Sequence, residues 1–122
     1  MAQFRFMDLE IWKESINLND QFFDLADTLV DAKSYRVAEQ LRAASLSISN
    51  NIAEGSGSFS NKDFASFLNI AHRSIFETVN ITFVAYRRGF INKEKLDKLI
   101  NDLEILSKKI TNFRKSILTN KQ

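Results

Sequence analysis

The 122-residue sequence has no cysteine, no proline, three glycines and one histidine, and each shortage removes a set of options. Without cysteine there is no disulfide framework, no thiolate metal site and no thiol nucleophile, and the cytoplasm is the expected compartment. Without proline, helices can run long before anything stops them. No apolar run approaches the ~18 residues of a membrane span. The N-terminal MAQFRFMDLEIWKESI lacks the apolar stretch of a signal peptide, so a soluble, unprocessed protein without membrane contact is expected. A chain of this length removes roughly two thirds of its unfolded surface from water unaided. One domain over residues 1–122 is therefore expected.

Catalytic options narrow in the same way. A di-metal carboxylate bundle needs Glu-x-x-His pairs, but the residue three before His72 is Asn69. Positions 65–67 read Ala65, Ser66 and Phe67, so an arginine separated from the histidine by four to six residues is missing too. His72 is expected at a surface or interface. The GSGS at 55–58 has neither the lysine nor the preceding strand of a P-loop, and the serines around 45–51 have no identifiable base to activate them. No catalytic residue, metal or cofactor is expected, and the protein reads as a non-enzyme.

What is present is helical periodicity. From Leu9 the residues Leu9, Trp12, Ile16, Phe23, Ala26 and Val30 recur at threes and fours, with Asn19 at the one polar step. Asp8 is the expected N-cap. A second stripe, Ile11, Leu18, Phe22, Leu25 and Leu29, widens the apolar face beyond one bundle seam. Ser34 is expected to cap a second helix buried along Val37, Leu41, Ala44, Ile48 and Ile52, with Ala43, Ser45, Ser47 and Ser49 small enough for close approach by another helix. Gly55 is expected to end it at positive φ, and Ser60 with Asp63 resembles a capping box opening the third helix. That helix carries Phe64, Phe67, Leu68, Ala71, Ile75, Thr78, Thr82 and Tyr86 on its main seam, with Ile70, Phe76, Ile81, Phe83 and Val84 off it, and Gly89 as its stop. The fourth starts at Asn92 and repeats as Leu96, Leu99, Leu103, Leu106, Ile110, Phe113 and Ile117, with residues 119–122 expected to fray.

The predicted helices, about 8–31, 35–54, 61–88 and 93–118, are each ~30–40 Å long. With short turns between them they describe an all-α, antiparallel, up-down-up-down four-helix bundle. Its charge is uneven. Residues 8–31 hold seven carboxylates against Lys13 alone, a net of −6, and residues 92–122 hold eight cations against four carboxylates, a net of +4. Solvated faces of neighbouring helices and a surface for a polyanion both fit that asymmetry. In the up-down topology the acidic first helix lies beside the basic fourth. The topology also gathers Lys33, Arg36, Arg87, Arg88, Lys93 and Lys95 at one end, with Asp31 and Glu94 opposing, and these six are the candidate phosphate-binding residues.

QLRAASLSISNNIAEG, Gln40 to Gly55, followed by FASFLNIAHRSIFE, Phe64 to Glu77, resembles a family of small bacterial four-helix-bundle proteins. The family includes the 23S rRNA intervening sequence proteins and the accessory variability determinant of diversity-generating retroelements. The likeness extends from DLEIWK at Asp8–Lys13 to RRGFINKE at Arg87–Glu94, and its NIAEG core (Asn51–Gly55) stands with Gln40, Leu41 and Arg42 upstream and Ser74 and Glu77 downstream. Ser58 and Arg73 depart from the arginine and glycine the family often has there. The resemblance implies a homopentameric barrel and no enzymatic activity. In the retroelement branch it also implies a basic surface for nucleic acid and a reverse transcriptase partner. Asn51 and Glu54 are expected to be structural, satisfying backbone groups near the hairpin or pairing with Arg42 or Arg73; a subunit contact or ligand site is the alternative for them. Two functions follow as expectations: an oligomeric RNA- or DNA-binding adaptor, or a protein-interaction scaffold that touches no nucleic acid.

Overall fold

With no proline and its glycines confined to positions 55, 57 and 89, the chain has few places where a helix must break. The computed structural model describes residues 3–119. It contains α1 (Glu10–Asp31), α2 (Tyr35–Ser56), α3 (Asn61–Arg87) and α4 (Lys93–Thr119), preceded by a 3-10 turn over Arg5–Asp8. These form an all-α four-helix bundle. Relative to expectation α1 starts two residues later, α2 runs two further, α3 stops one earlier and α4 one later. Thr119 is still helical, its Oγ1 donating to the carbonyls of Lys115 and Ser116; the expected fraying beyond it falls outside the described residues.

The helix ends account for most of the local chemistry. Asp8 is not the N-cap of α1. It closes the 3-10 turn, and Leu9, which has no capping oxygen, takes the position. Ser34 does precede α2, but its hydroxyl makes no capping bond. Ser60 caps α3 by accepting from Asp63 N at 3.1 Å, and Asn92 Oδ1 accepts from Lys95 N at 2.8 Å. Two helices end in Schellman motifs. Phe90 N donates to Ala85 O and Gly89 N to Tyr86 O, with Gly89 at φ 82. Ser34 N donates to Leu29 O and Lys33 N to Val30 O, with Lys33 at φ 64 where glycine is usual.

Gly55 was expected in the left-handed region and lies instead inside α2, which continues to Ser56. A Cβ on Gly55 would sit 2.6 Å from Phe67 Cβ and 2.8 Å from Phe64 Cδ1. It is therefore a point of close approach between α2 and α3. Ser47 Oγ and Ser74 Oγ meet at 2.8 Å on the same interface, so residue numbers rise along α2 as they fall along α3. Buried Thr78 and Thr82 satisfy their hydroxyls on the carbonyls four residues back, at 2.8 and 2.7 Å, which leaves no donor stranded in the tight seam.

The core corrects the choice between the two stripes of α1. Ile11, Leu18, Phe22, Leu25, Ala26 and Leu29 are buried, whereas Leu9, Trp12 and Val30 only flank the core. On α3, Ile81 is buried rather than off the seam, while Ile70, Phe76, Phe83 and Val84 are exposed. The leucine line of α4 is buried as expected, with Phe113 partly so. Helix α2 packs extensively on α1 and α3, and α3 on α4, whereas α1 and α4 touch sparsely. Polar bridges span that sparse seam: Lys109 Nζ donates to Glu14 Oε1 at 2.8 Å and Glu10 Oε1 at 3.0 Å, and Lys98 Nζ to Gln21 Oε1 at 3.3 Å.

Candidate functional site

Six cations were expected at one end of the bundle. Lys33 ends α1, Arg36 lies in the first turn of α2, Arg87 and Arg88 end α3, and Lys93 and Lys95 open α4. All six are exposed. The α3–α4 turn is only five residues, Arg88 to Asn92. Within this group the structure separates one member: Lys93 Nζ is bound to Asp97 at 2.9 Å, and that hydrogen bond and charge raise its pKa from the ordinary 10.5. Lys33, Arg36, Arg87, Arg88 and Lys95 form no ion pair among the described residues.

Further along α4 most cations, Lys115 excepted, behave differently. Lys98 pairs with Asp102, Lys108 with Glu104, and Lys109 with Glu10 and Glu14. Arg114 Nε donates to Ala65 O at 3.1 Å. The acidic first helix thus meets the basic fourth through Lys109, and much of the charge that made residues 92–122 look like a polyanion surface is committed inside the chain. Lys33, Arg36, Arg87, Arg88 and Lys95 lie at helix ends without an ion pair, as Lys13, Lys62, Arg73 and Lys115 do elsewhere on the surface.

The motif residues divide as well. Arg42 Nη2 pairs with Asp27 Oδ1 at 2.7 Å, fastening α2 to α1, and does not reach Glu54. Asn51 Nδ2 donates to Ser47 O at 2.8 Å and Ser47 Oγ at 3.0 Å, one turn back on its own helix. Glu54 is exposed and forms no ion pair with Arg42 or Arg73 among the described residues, so the pairing half of its expected structural role is not seen. Ser74 is buried against Ser47, Gly55 against Phe67, and Gln40 and Glu77 face outward. His72 is half-buried on α3 with its ring 5.1 Å from that of Phe76. No group of three or more His, Cys, Asp or Glu that could hold a metal ion occurs among the described residues. No helix among them is long and apolar enough to cross a membrane.

Sequence reasoning passed over Tyr35. It is the first residue of α2 and 57% exposed, between Lys33 and Arg36. The signal was available: an aromatic outside the apolar stripe, flanked by positive charge.

A crystal structure of a protein of unknown function from the S23 ribosomal protein family of Bacteroides thetaiotaomicron VPI-5482 has a TM-score of 0.81 to this chain at 24% identity, covering 86% of this chain and 98% of that one. At that identity the likeness shows the fold alone. No curated protein matches the chain. The family model described as 23S rRNA-intervening sequence protein matches residues 7–112. With nearly all of the bundle inside that match, the chain belongs to the family of 23S rRNA-intervening sequence proteins.

Proposed function

We propose that the protein is a non-catalytic, oligomeric adaptor that binds nucleic acid through the cationic end of a single antiparallel, up-down-up-down bundle. The observation that carries this reading is the set of five exposed cations, Lys33, Arg36, Arg87, Arg88 and Lys95, with no carboxylate partner among the described residues. Lysine and arginine gain most from meeting phosphate where they are not already neutralised. The family's name, which refers to 23S rRNA, agrees with an RNA ligand in the cytoplasm. From the family resemblance come a homopentamer and a protein partner such as a reverse transcriptase. Oligomerisation has independent support in Ile70, Phe76, Phe83 and Val84, which share the exposed side of α3 and are 43, 64, 44 and 39% exposed; large apolar patches of this kind mark contact surfaces.

The test is binding of labelled RNA and DNA across a salt series. With all five cations on the phosphates of a single strand, log K falls against log salt with a slope of about −3.5, and Arg87→Gln with Arg88→Gln reduces it by about 1.4. Binding that ignores salt, or none at low salt, overturns the nucleic-acid reading. The apolar side of α3 would then leave the protein-interaction scaffold as the better description. Solution mass of the parent and of Phe76→Ser with Phe83→Ser tests assembly separately: the parent is multimeric and the variant smaller, and a monomeric parent refutes the oligomer.

A further inference from the structure

We propose that Tyr35 is a stacking platform for an unpaired nucleobase, so that the cationic end selects single-stranded segments of nucleic acid over duplex. This deepens, and rests on, the nucleic-acid reading above. Tyr35 keeps 57% of its surface in water although it belongs to a bundle with ample apolar area. Its hydroxyl makes no hydrogen bond among the described residues, which leaves both ring and hydroxyl available to a ligand. Lys33 and Arg36, two residues before it and one after, are both exposed and carry no carboxylate. An aromatic face between free cations has the composition of sites that hold a single strand, where bases stack on rings and phosphates meet positive charge.

Beside the ring is a shallow, open surface hollow lined by Tyr35, Arg36, Glu39 and Gln40 of one helix. Its polar groups suit a base edge: the Glu39 carboxylate accepts only, and the Gln40 amide both donates and accepts. Glu39 offsets part of the charge that Arg36 brings to the hollow, so a base edge is held there more readily than a phosphate. In a duplex both faces of an interior base are already stacked, and only an unpaired base can present its face to the ring.

The experiment measures fluorescence anisotropy of labelled RNA and DNA single strands, and of duplexes of the same sequence, with the parent protein, Tyr35→Ala and Tyr35→Phe at fixed salt. Tyr35→Ala is expected to weaken single-strand binding by about 5- to 150-fold, the usual effect of losing one stacked base, in at least one of the two sugar arms. Duplex binding stays as in the parent, and Tyr35→Phe, which keeps the ring, binds as the parent does. Circular dichroism of each variant confirms an unchanged helix content. The inference is overturned if Tyr35→Ala binds single strands as the parent does, or loses single strand and duplex equally. A parent that binds neither at low salt removes the nucleic-acid reading itself, which is a different result from a parent that binds while Tyr35→Ala is neutral.

Discussion

Replacing Gly55 by alanine tests whether α2 and α3 owe their spacing to the missing side chain. In an exposed helix interior the change gains about 1 kcal/mol, because glycine is the poorer helix former. At residue 55 the added methyl carbon falls 2.6 Å from Phe67 Cβ and 2.8 Å from Phe64 Cδ1. Phe67 Cβ is fixed to the backbone, and Phe64 is 1% exposed with its ring against Phe113 at 5.5 Å, so neither neighbour can yield by turning a flexible tip. Overpacking of this kind costs typically 1–3 kcal/mol, and a contact with an immovable carbon belongs at the upper end. The net is a loss of about 2 kcal/mol, which for a chain of this length lowers Tm by roughly 8 °C. Gly57→Ala is the control. Its Cβ meets only Glu54 O at 3.4 Å and its φ is −86, so it is neutral or gains up to about 1 kcal/mol. Thermal and urea unfolding followed by circular dichroism reads both, with the m-value checking that the denatured state is unchanged. A Gly55→Ala protein as stable as the parent, or more so, refutes the close-approach account.

Lys33→Gly relieves a left-handed lysine, which costs about 1–2 kcal/mol, while adding back part of that as chain entropy of the unfolded state, so a net gain of about 0.5 kcal/mol is expected. Nucleic-acid affinity falls in the same variant; a drop in stability would show that the Lys33 side chain supports the fold. Asn92→Ala removes the oxygen that accepts from Lys95 N and is expected to cost about 1 kcal/mol in chemical denaturation. Hydrogen bonds to Glu14 first, then Glu10, raise the pKa of Lys109 above the ordinary 10.5. The stability it contributes is therefore complete below the unfolded-state value and is lost as pH climbs through the higher folded-state one. Lys109→Met should flatten that alkaline limb and lower Tm at neutral pH, since Glu14 then faces α4 uncompensated; an unchanged limb would show that the bridge contributes nothing.

How far the molecule could be read from its sequence depended on whether a signal had one solution or two. The leucine line from Leu96 to Ile117 admits one inward face, and that face is buried. Helix α1 carries two adjacent stripes, and periodicity alone has no reference direction for choosing between Trp12–Ile16–Phe23 and Leu18–Phe22–Leu25. Packing against α2 decides it. Gly55 illustrates a related ambiguity, since a glycine near a helix end fits either a left-handed turn or a close contact, and only the position of Phe67 distinguishes them. The candidate cations were legible as residues. Their pairing was not, because whether Lys93 is neutralised depends on a rotamer reaching Asp97, and whether Arg87 is free depends on the absence of any such reach. Glu54 failed as a pairing partner for the same reason: Arg42 turned to Asp27 on the neighbouring helix.

The amino-terminal turn determines how this protein would look to a spectroscopist. The chain has one tryptophan, and Trp12 lies with its ring edge-on to Phe6 at 4.9 Å, while Phe6 is stacked with Phe4 and Arg5 rests 5.1 Å over Phe64. Intrinsic emission therefore watches this aromatic clasp at the edge of the core, while ellipticity at 222 nm watches the four rods. If the clasp opens before the rods part, two optical probes on one sample give two melting curves, with the emission change at the lower temperature.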